Sequence, residues 1–553
     1  MAVNIESTTP ATVVSVEKSS AKTVFAAAMG TVFEWYEFTL HGAMTYIIAA
    51  KFFTGLPPAV AFIFTLLTFA VGFIMRPLGA VLFGSVGDKL GRKKTFVITI
   101  VLMGAATTGV GLLPTYDIIG VWAPILLIVM RIVQGLAIGG EYGGAATYVA
   151  EHSPVGQRGL NTSWIAATGV AGLLMSFAMV LLCRTLTGSE FDVWGWRIPY
   201  LFSAVLLAFS LAVRLGMRES PAFERMKRED RLAEKPVKEL FTQIKNIKVM
   251  LVALFGVCCA MSCCYYVAVL YPSFFMTQVL KVAPQQAGSV ISLVLLTAMP
   301  VFLIAGWATD RFGRKKVFVL GLLMTAVVIF PVFKSLTYYA NPALAEAVKH
   351  SPVTVVVREN DCSYFFGLGG GGEEFSICDT TKQALFTAGV SYNVSYTQDG
   401  EPLITIGKQE IKPVSLFSIS EQSVQKTELL EKAISSALAI SGYPVKADLE
   451  RFSTWGVYFT LLLLVCCGVI TYTPVSVILV EMFPARIRYT GISFPYHLAS
   501  GWVGGLFPTV AFGMSSYVGN IYVGLAYPLF WIIVGLVVSV LFLKESRDVD
   551  IYT

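Results

Sequence analysis

Charge is what this sequence has least of. Asp, Glu, Lys and Arg make up 14% of its 553 residues and hydrophobic types 55%, whereas soluble domains carry about 25% charged residues. A single soluble core cannot absorb that much apolar surface. No Gly-x-x-x-x-Gly-Lys-Ser/Thr run occurs, so a phosphate-cradling loop of that kind is absent and ATP-driven work by this chain is unsupported. The first twenty residues have neither an apolar core nor a small-residue cleavage site, which reads as a disordered tail and not a signal peptide. The formal charge is +6, but the basic residues fall in short loops between apolar runs. Nucleic acid is therefore not an expected partner.

Long apolar runs are abundant. About 20 residues cross a hydrocarbon core, and runs of that order recur at 24–50, 59–84, 95–113, 122–148, 162–183, 197–215, 249–276, 286–308, 317–336, 455–480, 490–513 and 522–543. The expected fold is an all-α membrane protein of twelve transmembrane helices in two six-helix bundles, with the lipid bilayer as its first partner. Lys and Arg favour cytoplasmic loops. With the amino terminus inside, the inner loops hold Lys89, Arg92, Lys93, Lys94, Arg158, nine basic residues from Arg218 to Lys248, then Arg311, Arg314, Lys315, Lys316, Arg486 and Arg488. The outer loops hold Lys51, Arg184 and Lys281, with Arg197 near a boundary. Both termini are expected to be cytoplasmic, in a multi-pass protein of the cell (inner) membrane.

Two segments repeat. Gly84-Ser-Val-Gly-Asp88-Lys-Leu-Gly91-Arg92-Lys93-Lys94 matches Gly306-Trp-Ala-Thr-Asp310-Arg-Phe-Gly313-Arg314-Lys315-Lys316, and Glu151-His-Ser-Pro154-Val-Gly-Gln-Arg158 matches Glu481-Met-Phe-Pro484-Ala-Arg486-Ile-Arg488. The first pair is offset by 222 residues and the second by 330, so the second half carries about 108 extra residues between its motifs. They lie between Thr337 and Leu449, where the apolar pattern breaks. A β-rich run spans Val353 to Val357, a Gly-rich stretch Gly367 to Gly372, and Asp399-Gly400 gives a hairpin signal. Ser418 to Glu421 has capping-box spacing ahead of an amphipathic run ending near Ile440. The expected domains are a tail at 1–23, a first bundle at 24–216 and a linker at 217–248. Helices seven to nine follow at 249–336, a small extracytoplasmic α+β insert at 337–450, helices ten to twelve at 451–545 and a tail at 546–553. Cys362 and Cys378 alone lie outside spans, where an oxidising compartment would allow them to pair.

Glycines in the repeated cluster allow a tight turn, and its carboxylate can hold Arg or a helix amino terminus in one conformation. A breakable ionic latch and a plain topology anchor both fit. The two clusters resemble the signature of the major facilitator superfamily. Gly30-Thr-Val-Phe-Glu34-Trp35-Tyr36-Glu37-Phe38, Arg76-Pro77-Leu-Gly79, Arg131-Ile-Val-Gln134-Gly135, Gly139-Gly140-Glu141-Tyr142 and Trp194-Gly-Trp196-Arg197-Ile-Pro199 are similar to its metabolite:proton symporter branch. That branch includes osmolyte, α-ketoglutarate, citrate and shikimate permeases. The resemblance implies proton-coupled uptake of a small polar metabolite, with no enzymatic activity, no cofactor beyond the proton gradient and a gating set of Asp88, Arg92, Asp310, Arg314, Glu151, Arg158, Glu481, Arg488 and Arg76. Thr31, Glu37 and His41 depart from the branch's pattern.

At 100° per residue Glu34, Glu37 and His41 share one face of the first helix. Ionisable groups within a bilayer are costly and mark ion pathways, which makes Glu34 and Glu37 candidates to carry a proton and His41 a candidate to tune or relay it. Contact with headgroups at the outer end is the alternative for Glu37 and His41. Arg131, Gln134 and Glu141 share a face of the fourth helix. Arg131 offers a fork of donors to a substrate carboxylate or to Glu34; a structural pair with a glutamate is the bland alternative. In the second half Tyr265, Tyr266, Tyr271, Tyr472, Tyr496, His497 and Trp502 either offer hydroxyls, an imidazole and aromatic faces, with Tyr265, Tyr266, Tyr496 and Trp502 the candidates for substrate contact, or simply pack. Cys258, Cys259, Cys263 and Cys264 would suit Cu(I), but small apolar packing is the preferred reading and no metal is expected. Gly367 to Gly372 fits a dinucleotide pattern without its required strand and helix. The preferred substrate is an organic acid and the second a zwitterion such as proline or betaine. A nutrient sensor using the insert, with an unknown partner for that domain, is the alternative of another class.

Overall fold

The computed structural model describes residues 21–54, 58–358, 374–375, 378, 381–382, 384–385, 388–397, 402–412, 416–417 and 421–551. The first half contains α1 (Ala21–Ala43), α2 (Pro58–Leu90), α3 (Arg92–Leu112), α4 (Trp122–Glu151), α5 (Arg158–Thr187) and α6 (Arg197–Leu215). The second contains α7 (Ile244–Val279), α8 (Pro284–Phe312), α9 (Arg314–Ala340) and α10 (Thr454–Met482), then α11 (Arg488–Leu498) and α12 (Ala526–Phe542). Among the described residues ten helices are long and apolar enough to cross a membrane, two fewer than expected. α1 carries Lys22, Glu34 and Glu37 within 23 residues. α11 passes into a π-helical stretch, Ala499–Gly504, and resumes only at Phe507–Val518. Charge in one case and a broken helix in the other dilute the apolar run.

Close backbone approach holds α2 to α4. A Cβ at Gly135 would overlap the Gly72 carbonyl, one at Gly79 the Leu136 carbonyl, and one at Gly139 the Arg76 carbonyl. In lipid, where water drives no helix association, such contact supplies the packing. Gly139→Val is expected to destabilise the first half by about 1–3 kcal/mol, visible as a lowered Tm of the detergent-solubilised protein. Large apolar side chains such as Leu112, Val327 and Phe542 stand exposed, as lipid-facing residues do.

Between α9 and α10 lies a small α+β unit. Asn341 caps the helix Pro342–His350 by accepting from the Leu344 amide at 3.0 Å. The strands β1 (Val353–Arg358), β3 (Tyr392–Thr397), β4 (Leu403–Ile406) and β5 (Gln409–Ile411) form one sheet in the order β3-β1-β4-β5, and β2 (Glu374–Phe375) pairs with β6 (Leu416–Phe417). β1 is parallel to β3 and antiparallel to β4. The runs flanking Asp399-Gly400 are therefore not a hairpin: both pair with β1, whose buried Val353, Val355 and Val357 need neighbours on both sides. The tight turn instead joins β4 to β5 at Gly407, where φ is +58°. Helix Glu421–Ile440 adds Leu430, Ile434 and Leu438 to the same apolar cluster. Cys378 is buried and disulfide-bonded; its expected partner Cys362, the Gly367 to Gly372 run and Asp399-Gly400 itself lie outside the described residues, as do Ser418 to Ser420.

The insert is anchored to the second half. The Tyr392 amide donates to the Gly519 carbonyl at 2.6 Å and its hydroxyl to the Ser516 carbonyl. The Ala447 amide donates to the Lys281 carbonyl at 3.1 Å, and the Asn341 side chain to the Leu280 carbonyl at 3.0 Å. Tyr392→Ala removes a buried ring and the hydroxyl anchor to Ser516, while the amide bond to Gly519 stays. It is expected to cost the insert about 3 kcal/mol of local stability, read as faster amide exchange in β1 and β3.

Candidate functional site

The repeated motifs meet across the two halves. Asp88, near the end of α2, accepts from the amides of Tyr489 and Thr490 at 3.1 and 2.9 Å and from the Thr490 hydroxyl at 2.7 Å. Asp310, near the end of α8, accepts from the amides of Gly159 and Leu160 at 2.9 and 2.8 Å. Each carboxylate thus sits on the amino terminus of a helix of the opposite half, α11 or α5, where free amides and the helix dipole favour negative charge. Gly91 and Gly313 make the turns that follow, with φ of +111° and +108°, a region open to glycine.

Around these caps the arginines pair. Arg92 donates to the Gly87 and Ala485 carbonyls at 2.9 Å and stands 3.5 Å from Asp88 and 4.0 Å from Glu151. Glu151 accepts from Arg488 at 2.7 Å. In the twin arrangement Arg314 lies 3.2 Å from Asp310 and from Glu481, and Arg158 lies 3.5 Å from Glu481. All eight side chains are buried. Removing one member leaves a buried charge unpaired, so the layer closes as a unit. Burial holds the neighbouring His152 imidazole below its ordinary pKa, leaving the layer's charge to arginines and carboxylates.

Four members of this layer escaped sequence reasoning. Glu219 accepts from the amides of Arg92 at 3.0 Å and Lys93 at 3.3 Å, and Glu545 from those of Arg314 at 2.8 Å and Lys315 at 3.2 Å. Ser220 donates to Glu151, and Ser546 to Glu481 at 2.7 Å. The signal was a Glu-Ser dipeptide following the last helix of each half.

Inside the first half, Glu34, Glu37 and Glu141 line one small pocket with Thr99, Met103 and Ala137. Glu141 pairs with Arg214 of α6 and accepts from Thr99 at 2.8 Å, so its cation comes from α6 and not from Arg131. Glu37 accepts from Thr107 at 3.4 Å, and Gln134 donates to the same hydroxyl at 2.7 Å. His41 lies 3.2 Å from Thr68. The three residues expected on one face of α1 do lie inside the bundle, and Glu37 and His41 are buried there. Arg131 is buried against Tyr200 and within electrostatic reach of His41, both of the first half. Its Nε and Nη2 have no hydrogen-bond partner among the described residues.

The interface between the halves is aromatic. Tyr142 stacks on Tyr496 at 3.5 Å, Tyr496 shares a 2.9 Å hydrogen bond with Tyr472, and Tyr265 packs on Tyr472 at 4.9 Å and on Trp35 at 5.8 Å. A cation enters this wall. Arg76 stands over Phe38 at 4.2 Å and Phe73 at 4.6 Å, interacts with the Tyr266 hydroxyl and lies within electrostatic reach of Glu34. It was expected in the gate; mid-helix in α2, it sits at the interface instead, because the gate forms where α2 ends. Trp502 is displaced the other way. It is 49% exposed, while Gly501, Gly504 and Gly505 beside it are the positions that meet Phe73 and Tyr266.

Comparison with known proteins decides the family. Residues 23–239 match the sugar (and other) transporter family and residues 253–345 the major facilitator superfamily. The shikimate transporter of Escherichia coli is 37% identical over 314 residues, 56% of this chain and 70% of its own length. The chain belongs to the major facilitator superfamily. Within the superfamily its relatives include osmolyte and shikimate transporters. A glycine betaine/proline/ectoine/pipecolic acid transporter of Dickeya dadantii is 36% identical, and the proline/betaine transporter of Escherichia coli 35%, each over 322 residues. Those two matches span 56% of this chain and 64% of the relatives' own length. The solved structure of the proton:xylose symporter XylE bound to 6-bromo-6-deoxy-D-glucose superposes with a TM-score of 0.60 at 14% identity, covering 96% of this chain and 97% of that one. A double-tryptophan XylE variant gives 0.62 at 16% identity, with the same coverage. At that identity the likeness is one of fold.

Proposed function

We propose that the chain is a proton-coupled symporter that imports a small organic acid by alternating access, and is not an enzyme. The observation that carries this reading is Arg76: a buried guanidinium at the interface of the halves, within electrostatic reach of a carboxylate, Glu34, that belongs to a three-glutamate cluster. Arginine presents a planar fork that matches a carboxylate. Arg214 pairs with Glu141, so an exchangeable proton is the simplest neutraliser of Glu34 and Glu37. A substrate anion at Arg76 changes the field at Glu34, and a proton at Glu34 changes the field at Arg76. That mutual bias couples the two.

In this reading twelve segments span the cell (inner) membrane, α1 and the broken α11 included. Both termini and the paired motifs are cytoplasmic and the insert lies outside, as the Lys and Arg distribution supports. The latched layer then closes the cytoplasmic side. Arg131 and Gln134 support the proton site from within the first half. The driving force is the proton gradient.

The proline/betaine relatives favour a second reading, symport of a zwitterionic osmolyte. Arg76 occupies the faces of Phe38 and Phe73, so an aromatic cage for the osmolyte's ammonium would have to come from other rings of the wall, such as Tyr265 and Tyr266. Uptake of labelled shikimate, α-ketoglutarate, proline and glycine betaine into proteoliposomes, with and without an inward proton gradient, separates the readings. Gradient-driven accumulation of an acid is expected; accumulation of betaine alone would select the osmolyte reading, and uptake indifferent to the gradient would remove proton coupling.

A further inference from the structure

Opposite Arg76 the second half presents polar atoms with nothing to bond. Both ring nitrogens of His497 and the hydroxyls of Ser262 and Ser500 have no hydrogen-bond partner among the described residues, although the three side chains are at most 5% exposed. Buried polar groups are otherwise almost always paired, and in a membrane interior water does not make up the deficit.

Glycines of the same stretch bring these residues towards Arg76. A Cβ built on Gly504 would meet Ser262 Cβ at 3.1 Å and the Tyr266 ring at 2.8 Å, and one on Gly501, next to Ser500, would stand 3.8 Å from Arg76 Cβ. His497, one turn earlier on α11, is held edge-on by Tyr496 at 5.1 Å and Tyr142 at 6.5 Å and is within electrostatic reach of Arg76. Both backbones are π-helical at this level, over Tyr266–Leu270 and Ala499–Gly504. π-bulges concentrate at functional sites.

We propose that this wall reads hydroxyl groups, so that the acid held at Arg76 is a hydroxylated one and His497, Ser500 and Ser262 determine its specificity. The inference rests on Arg76 as the carboxylate anchor. Its chemistry is neutral hydrogen bonding: an imidazole offers one donor and one acceptor and each serine hydroxyl both, which complements alcohols, themselves donor and acceptor. Neither a quaternary ammonium nor a plain hydrocarbon ring satisfies these atoms. A site built to bond a hydroxyl rejects an analogue lacking it, because its own polar groups are then left unpaired.

The test measures dissociation constants on the full chain in detergent for three ligands: shikimate (a trihydroxylated cyclohexenecarboxylate), unsubstituted cyclohexenecarboxylate and glycine betaine. Shikimate is expected to bind at least about tenfold more tightly than the unsubstituted acid. That ratio should fall towards one in His497→Phe and by about threefold in Ser500→Ala, the milder variant guarding against a misfolded His497→Phe protein. Equal binding of the two acids by the wild type, with betaine weaker, overturns the hydroxyl inference alone. Failure of both acids to bind, or tighter binding of betaine, overturns the Arg76 reading and this inference with it.

Discussion

Arg76→Gln is expected to weaken substrate binding by about 2–5 kcal/mol, roughly thirtyfold or more in Kd, while leaving the protein folded. The guanidinium is buried among Phe38, Phe73 and Tyr266, so glutamine keeps much of the volume and loses the charge and the fork. Arg76→Lys keeps the charge as a point without the planar geometry, and its loss should be intermediate. Because Arg76 also lies within electrostatic reach of Glu34, the glutamine variant should bind less substrate and weaken the dependence of transport on external pH as well. Isothermal titration and uptake at two pH values check both effects. Unchanged affinity in Arg76→Gln would move the anchor to Arg131, whose Nε and Nη2 lack partners.

The second large effect is expected at the latch. Asp88→Ala removes three hydrogen bonds from the amino terminus of α11 and leaves Arg92 beside Glu151 alone, whereas Asp310→Ala removes two from that of α5. Bonds to a charged group contribute about 1.5–3 kcal/mol each, so losing the equivalent of one of the three already shifts the closed-to-open ratio by roughly ten- to a hundredfold, and Asp88→Ala should shift it by at least that much. Asp310→Ala should do less. Spin labels at the exposed Lys94 and the exposed Lys316, which begin α3 and α9, report the separation of the halves. A longer mean distance in Asp88→Ala than in Asp310→Ala is expected; identical distributions in wild type and both variants would deny the layer its latching role.

The sequence disclosed the latch more fully than the binding site, for a physical reason. Asp88 and Asp310, Arg92 and Arg314, Glu151 and Glu481 occur twice because the two halves close on each other by the same contact, and a repeat is visible without coordinates. Glu219 and Glu545 belonged to that repeat but stood as a bare dipeptide in loops otherwise rich in charge. The central site has no such twin. The partner of Glu141 is Arg214, 73 residues away on another helix, and helical spacing compares only residues of one helix. Arg76 reads as a gate residue with the motif Arg76-Pro77-Leu-Gly79 that carries it, and only the fold shows that Phe38 and Phe73 face it. Trp502 stood as a candidate by residue type alone, which carries no facing, and in the π-helical Ala499–Gly504 it stands exposed. In the insert, a turn signal at Asp399-Gly400 described local chain chemistry, while β1, far off in sequence, took both neighbouring strands.

The central claim is that substrate at Arg76 and a proton in the Glu34 cluster move together. Substrate-driven proton flux measures this most directly: proteoliposomes in weak buffer, with no imposed gradient, receive the transported acid while external pH is recorded. Wild type is expected to alkalinise the medium as acid enters, and Glu34→Gln to take up substrate down its gradient, if at all, without moving external pH. Substrate entry into wild-type vesicles with external pH unchanged would contradict the account.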